Sequence, residues 1–235
     1  MNARKSSRRR AKTKTARETR TDGDATRSRI LEAAGALFAF GGFAHTTAKA
    51  IAKRADASLA LINYHFESRD GLYRAVLLEA HQRMLSLTEL REAAGSELSA
   101  ADKLKVFIDQ LVKQATDQQL GWHLDVLARE VLSPSPHYRE MTQTSMSPKL
   151  TIITRVLSEI TRIPLNDPAL LRCFLSAVTP CTMLLLAARG APGPMHDLRQ
   201  MPPEVITDHL HRFALAGLDA IGRDYARQKA PTGQK

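Results

Sequence analysis

Apolar residues recur at helical spacing in every patterned stretch of this chain. Between Thr26 and Gly41, for example, one helical face would carry Ile30, Ala34 and Phe38. No stretch alternates as a β-strand, and no Asn-Gly or Asp-Gly turn links two alternating runs. Aromatic residues make up only 5% of the 235 residues, which disfavours a β-sandwich. The sequence therefore predicts an all-α fold.

Clusters of Gly, Pro and Ser separate the periodic stretches and so place the predicted helices. They are predicted at Thr26–Gly41, Thr47–Ala55, Ser58–His65, from Ser68 onward, and at Asp102–Thr116, Leu120–Leu132, Lys149–Ile160, Ala169–Arg189 and Glu204–Gln228. Ser133–Pro136 and Gly190–Pro203 are predicted to be loops, and Pro180 to be a kink. We therefore divide the chain into a basic tail at 1–22, an N-terminal helical domain at 23–85, a C-terminal helical domain at 86–228 and a second tail at 229–235.

Positive charge is concentrated at the N-terminus. Residues 1–20 contain nine basic side chains and one acid, Glu18, so this segment carries +8 of the net charge of +10. A polycationic segment without an apolar pattern cannot bury a core, and we predict that it is disordered. Such a tail attracts phosphates without reading sequence. The alternative is a solvated tail that has no function.

Several classes of protein are disfavoured by what the sequence lacks. It has no Gly-rich phosphate loop, no Gly-x-Ser-x-Gly and no His-Glu-x-x-His, so we expect no enzyme, cofactor or metal site. Cys173 and Cys181 are expected to be buried, reduced thiols and not part of a disulfide scaffold. No apolar run approaches the roughly 20 residues that cross a bilayer, and no signal peptide is recognisable. We expect a cytoplasmic protein without a membrane partner.

Two short predicted helices, Thr47–Ala55 and Ser58–His65, are joined by a break at Asp56-Ala57-Ser58. This arrangement is typical of a helix-turn-helix. In such a unit the first helix crosses the phosphate backbone, and the second enters the major groove with its first turn toward the base edges. The sequence therefore predicts binding to double-stranded DNA.

The same region resembles the TetR family of transcriptional regulators. The resemblance is carried by two runs, Thr46-Thr47-x-x-x-Ile51-Ala52-x-x-Ala55-x-x-Ser58 and Asn63-Tyr64-His65-Phe66-x-Ser68-Arg69-x-x-Leu72-Tyr73. The stretch from Leu61 to Phe66 is most similar to the CecR/CerR-like branch, and the resemblance covers residues 26–85. The chain departs from the family pattern at Asp56, where Gly is usual, but Asp tolerates the left-handed backbone that the turn needs. Glu67 also departs from it and places a negative charge near the DNA backbone.

The resemblance implies a role for each matching position. Thr47 would cap its helix and meet a phosphate, while Lys49 would reach a phosphate or a base edge. The DNA-binding candidates are Thr46, Thr47, Lys49, Ser58, Leu59, Ala60, Asn63, Tyr64, His65 and Arg69. Base readout is assigned to Lys49, to Ala60 through a thymine methyl and to Asn63 through adenine.

Some of these positions have structural alternatives. Asn63 would otherwise contact a phosphate or act as a local cap, and Tyr64 would pack against the first helix. For His65 we favour a hydrogen bond to phosphate over a metal ligand.

The resemblance also implies a homodimer that reads a near-palindromic operator. The dimer would form through the two C-terminal helices, Ala169–Arg189 and Glu204–Gln228. Their apolar residues would otherwise form the core of the monomer, and helices apolar on more than one face are expected to do both. The C-terminal domain would hold an unknown small-molecule effector whose binding releases the DNA. By position, Trp122 and His123 are candidates for the effector site, although both side chains also suit a core.

A regulator, most commonly a repressor, is therefore the predicted function. The alternative is a non-specific, basic nucleic-acid-binding helical protein in which the tail provides the affinity. The two differ in behaviour, because a non-specific binder shows a steep salt dependence and no preferred site.

Overall fold

A computed structural model describes residues 3–117, 121–187, 197–198 and 200–229, without the side chains of residues 3–21, 145–147 and 186–187. All regular structure in these ranges is helical and no strand occurs in them, so the predicted all-α fold is confirmed. The chain divides into two compact units, Met1–Leu77 and Leu78–Lys235.

The first unit contains three helices and the start of a fourth. They are α1 (Ala3–His45), α2 (Ala48–Arg54), α3 (Leu59–Phe66) and α4 (Arg69–Met84). The helical backbone of α1 breaks at Gly42, where φ is 71°, a conformation that glycine adopts without strain. The break lies where the Gly41-Gly42 pair predicts the end of the helix. The backbone of residues 3–21 forms the first part of α1, whereas the sequence predicts a disordered tail for this segment.

Two capping side chains define the helix-turn-helix. Thr47 Oγ1 accepts a hydrogen bond from the Ala50 amide at 3.1 Å, which begins α2. Ser58 Oγ accepts one from the Leu61 amide at 3.2 Å, which begins α3. Between them Asp56 has a φ of 48°, the left-handed conformation expected of the residue that replaces glycine. Thr47 is therefore the N-cap of α2, as the resemblance implies.

An aromatic cluster joins α4 to α1 within the first unit. The Tyr73 ring lies 4.7 Å from the Phe38 ring and 4.7 Å from the Phe43 ring. Ile30, Ile51 and Ile62 are also buried, and α1, α2 and α3 contact one another, so each of these helices contributes to one core. This core holds α2 and α3 in place while their outer faces stay exposed.

The second unit takes the end of α4 and the remaining helices. These are α5 (Leu87–Gly95), α6 (Ala100–Thr116), α7 (Trp122–Leu132), α8 (Pro136–Met141), a π-helical turn at Thr142–Met146, α9 (Ser147–Thr161), α10 (Pro168–Ala187) and α11 (Pro203–Lys229). The division between the units falls inside α4, whereas we expected it after Leu85. Most of the predicted loop at Gly190–Pro203 lies outside the described residues.

Helices α5 and α8 were not predicted. Helix α5 is short and only Leu90 is buried in it, so its sequence shows few of the recurring large apolar residues that would predict a helix. Helix α8 begins at Pro136, with Ser135 as its N-cap. The sequence predicts a loop at Ser133–Pro136, but proline is well suited to the first helical position because an N–H there would have no partner within the helix.

The core of the second unit forms around α6, which packs against α9, α10 and α11. Its buried side chains include Leu104, Phe107, Leu111, Leu157, Leu170, Cys173, Cys181, Leu184, Leu185 and Leu218. Both cysteines are buried and free, as predicted. One window of α10, Pro168–Leu185, is long and apolar enough to cross a membrane by length and composition alone, although the sequence contains no unbroken apolar run of that length. A core helix passes the same test, and Cys173, Cys181 and Leu184 of this window are buried in the core.

Candidate nucleic-acid interface and ligand cavity

Helix α3 separates a buried face from an exposed one. Ile62 and Phe66 are buried in the first unit. The exposed face carries Ser58, Leu59, Ala60, Asn63 and Tyr64. Tyr64 is 81% exposed, so it does not pack into the core against α1. Five of the ten side chains named from the sequence therefore lie on one accessible surface.

Helix α2 adds positive charge beside this surface. Thr47 and Lys49 are exposed, as a contact to DNA requires. Lys53 and Arg54, in the last turn of α2, are exposed as well. Neither cation is among the candidates named from the sequence, although the spacing of Lys49 and Lys53, one helical turn apart, predicts a shared face.

Thr46 occupies a different place from the one expected. Only 4% of it is exposed, and its hydroxyl lies 2.8 Å from the Gly42 carbonyl oxygen and 3.2 Å from that of Leu37. The turn at Gly42 brings the Thr46 side chain back toward the end of α1. Its hydroxyl donates a hydrogen bond to one of these two carbonyls. The Thr46 side chain therefore stabilises the break in α1 and is not presented at the surface.

Arg69, at the start of α4, stabilises the same turn. Its Nη1 donates a hydrogen bond to the Thr46 carbonyl at 3.1 Å. Its guanidinium carbon lies 4.1 Å from the centre of the Phe43 ring, a cation–π contact. Since a guanidinium has five N–H donors, these contacts leave donors for a phosphate. His65 is half-buried, and its ring lies 5.0 Å from that of Tyr64.

The second unit contains a cavity of about 510 Å³. Its described wall comes from α4, α6, α8, the π-helical turn, α9 and α10. Apolar side chains dominate it, among them Leu104, Phe107, Ile108, Leu111, Ile153 and Phe174. Such a size and lining are typical of small-molecule sites.

Trp122 and His123 are not among the described lining residues of this cavity. The Arg83 guanidinium lies 5.0 Å from the centre of the Trp122 ring. His123 Nε2 lies 3.2 Å from Gln114 Oε1. The structure therefore does not bring the two effector candidates to the cavity.

One polar pair stands out in the apolar wall. Lys149 Nζ donates a hydrogen bond to the His81 carbonyl at 2.8 Å and lies 3.2 Å from His81 Nδ1. Burial lowers the pKa of Lys149 to about 8. Burial and the nearby Lys149 charge lower the pKa of His81 to about 4. The sequence contains no signal for this pair, because its members lie 68 positions apart on different helices.

The apolar residues of α10 and α11 differ in burial. Leu170, Leu184, Leu185 and Leu218 are buried in the core, whereas Phe174, Val178 and Leu210 are half-buried. Large exposed apolar side chains on both helices include Leu171, Leu175, Met183, Val205 and Phe213. The monomer core therefore leaves these five side chains exposed, and they are called here the α10–α11 surface.

Both parts of the chain match families of known proteins. Residues 30–76 match the family of bacterial regulatory proteins of the TetR type. Residues 100–221 match the C-terminal domain of the HTH-type transcriptional dual regulator CecR. The probable HTH-type transcriptional regulator YttP of Bacillus subtilis is 29% identical over 138 residues. That alignment takes in 57% of this chain and 64% of YttP, so the chain spans less than two thirds of this relative.

Solved structures share the fold. A TetR-like transcriptional regulator from Rhodococcus sp. RHA1 superposes with a TM-score of 0.63 at 19% identity, over 82% of this chain and 95% of that one. The regulator FadR from Bacillus subtilis, in complex with stearoyl-CoA, gives 0.63 at 15% identity, over 81% and 98%. Fold and family matches together define a helix-turn-helix regulator architecture and not that of an enzyme. The chain belongs to the TetR family, and its C-terminal domain is of the CecR type.

Proposed function

We propose that this protein is a transcriptional regulator that binds operator DNA through α3. The observation that carries the proposal is the division of α3 into a buried apolar face and an exposed face with Ala60, Asn63 and Tyr64. A helix so arranged, beside the exposed cations of α2, suits insertion into the major groove. A cytoplasmic location, with association to the nucleoid when DNA is bound, follows from this proposal.

The contacts divide into two kinds. Lys49, Ala60 and Asn63 read base edges, while Thr47, His65 and Arg69 hold the phosphate backbone. Ser58 and Leu59 lie at the end of α3 that enters the groove, and Tyr64 faces the groove wall. Thr46 acts indirectly, because its carbonyl holds Arg69 and its hydroxyl stabilises the turn that precedes α2.

A homodimer supplies a second DNA-binding domain. The exposed apolar side chains of the α10–α11 surface favour burial against a second copy, since large exposed apolar patches mark interaction sites. Two α3 helices then read half-sites about 34–36 Å apart on a near-palindromic operator. Repression follows where the operator overlaps a promoter.

The cavity in the second unit is proposed as the effector site. Its apolar wall suits a small organic molecule, and the fold neighbour FadR was crystallised with an apolar-tailed ligand, stearoyl-CoA. Helix α4 contributes Arg69 to the first unit and His81 to the cavity. An effector that prefers one position of α4 would therefore change the affinity of the protein for DNA. DNA binding would change the affinity for the effector by the same factor.

Replacing Asn63 by alanine is expected to reduce discrimination between operator and scrambled DNA by about 5- to 100-fold, the range for one bidentate base contact. The measurement is a binding titration of the upstream intergenic DNA of the gene and of a scrambled control at two salt concentrations. If no preference is found there, selection from random sequence supplies the operator. Asn166→Ala, at an exposed position between α9 and α10, is the matched control and should leave the ratio unchanged. An unchanged ratio for Asn63→Ala would show that Asn63 reads no base.

The basic tail supports a second candidate, non-specific nucleic-acid binding, because it holds nine Lys and Arg residues. Deleting residues 1–21 is expected to weaken binding to operator and scrambled DNA alike and to flatten the salt dependence. Loss of affinity for the operator alone would instead show that the tail reads sequence, as arms do in the minor groove. A full-length protein with equal affinity for all DNA would favour the non-specific candidate.

A further inference from the structure

Lys149 is a buried cation without a buried anion. Only 6% of the residue is exposed, and it lines the cavity. Among the residues that the structure describes, both hydrogen-bond partners of Nζ belong to His81, and no carboxylate lies within ion-pair distance. An ammonium has three donors, so one donor stays unused.

The charge states of the pair make this arrangement costly in the free protein. With a pKa of about 4, His81 is neutral at pH 7 and offers Nδ1 as an acceptor. With a pKa of about 8, Lys149 is mostly positive at the same pH. A buried charge is stable only when it is paired and hydrogen-bonded, and here the pairing anion is missing from the described wall.

Tyr138 provides a second unused donor in the same wall. It lines the cavity from α8, and the described residues offer its hydroxyl no hydrogen-bond partner. Burial raises the pKa of Tyr138, so the hydroxyl stays protonated at neutral pH. The remaining wall is largely apolar, with Phe107, Ile153 and Phe174 facing the same space. The cavity therefore offers a cation and a neutral donor within an apolar surface.

We propose that the cavity binds an apolar carboxylic acid, whose carboxylate pairs with Lys149 Nζ while its hydrocarbon body contacts the apolar wall. This inference rests on the cavity being the effector site and specifies the chemical class of the effector. A neutral or cationic molecule of the same size leaves the Lys149 charge unpaired and binds more weakly.

The test compares three straight-chain probes of equal length on the full-length protein by calorimetry at pH 7. These are decanoate, decan-1-ol and decylamine. We expect decanoate to bind at least about tenfold more tightly than decan-1-ol, the ratio typical of one charge-assisted hydrogen bond, and decylamine to bind most weakly. Equal affinity for decanoate and decan-1-ol would overturn the proposal.

Lys149→Met, which keeps the volume and removes the charge, is expected to abolish the preference for decanoate while decan-1-ol still binds. Lys113→Met is the matched control, because Lys113 pairs with Asp109 on the exposed side of α6 and does not line the cavity. It should bind all three probes like the unmodified protein. Decanoate binding unchanged by Lys149→Met would overturn the proposal.

A pH series on the unmodified protein tests the same point without any variant. The titratable side chains lining the cavity with Lys149 are His81 from α4, Tyr138 from α8 and Cys181 from α10, and Glu130 of α7 lies beyond Tyr138. Burial raises the pKa of Cys181 to about 11, so between pH 7 and 9.5 only Lys149 changes charge in this wall. Lys149 loses its proton through that interval, and decanoate affinity should fall about 30-fold. A flat profile would contradict the assignment.

The operator titration separates this inference from the proposed function. If decanoate binds through Lys149 and operator affinity is unchanged, the carboxylate site stands and the effector role fails. If decan-1-ol releases operator DNA as well as decanoate does, the effector role stands and the carboxylate preference fails.

Discussion

Replacing Leu175 and Phe213 together by aspartate is expected to convert the proposed dimer into a monomer and to weaken operator binding by about a hundredfold or more, the usual gain from linking two binding domains. The two side chains are 63% and 68% exposed on α10 and α11. Two added carboxylates per chain would be buried without partners in a dimer through this surface, which is strongly unfavourable. Sedimentation measures the oligomeric state, and the operator titration measures the affinity.

Leu132→Asp provides the matched control for the double substitution. Leu132 ends α7 and is 82% exposed, but it does not belong to the α10–α11 surface. It tests whether any exposed leucine replaced by aspartate has the same effect, and we expect this variant to remain a dimer with unchanged affinity. A double variant that still sediments as a dimer would place the dimer interface elsewhere.

Replacing Gly71 by alanine is expected to destabilise the first unit by roughly 3 kcal/mol or more, at the upper end for overpacking. A Cβ atom at this position would lie 2.1 Å from the Phe66 carbonyl oxygen and 3.3 Å from its carbonyl carbon. Both are backbone atoms at the end of α3, so relief requires moving the helix that carries the candidate DNA contacts. Thermal unfolding of the unit should shift down by about 10 °C or more.

Gly23→Ala is the control within the same unit. A Cβ there meets no atom within 4 Å, and the residue is helical in α1. Alanine is favoured over glycine in a helix by about 0.5–1 kcal/mol, so this variant should be slightly more stable. If Gly71→Ala unfolds at the same temperature as the unmodified protein, the path of the chain from α3 to α4 differs from the one described.

The helix-turn-helix was predictable because its determinants are local. Thr47 and Ser58 cap helices within three residues of themselves, and Asp56 occupies the turn between them. The outward direction of Asn63 and Tyr64 follows from the burial of Ile62 and Phe66 one helical face away. Spacing along the chain is sufficient for such features.

The burial of Thr46 and the cavity were not predictable from spacing. The position of the Thr46 hydroxyl depends on the φ of Gly42, which directs it to two carbonyls of α1. The cavity wall is assembled from residues between His81 and Thr182 on several helices, so no local pattern marks it. Trp122 and His123 are candidates by position along the chain, and position alone does not determine which side of a helix faces the cavity.

The reactivity of the Cys181 thiol can report whether the cavity is occupied. Its thiol lines the wall, while Cys173, two turns earlier on α10, is buried but is not among the described lining residues. A small apolar alkylating reagent that enters the empty cavity reaches one sulfur and not the other, although burial raises the pKa of Cys181 to about 11 and so slows the reaction. The ratio of alkylation at the two cysteines, read by mass spectrometry, therefore measures occupancy of the cavity without any label on the bound molecule. Any molecule bound in the cavity shields Cys181 alone.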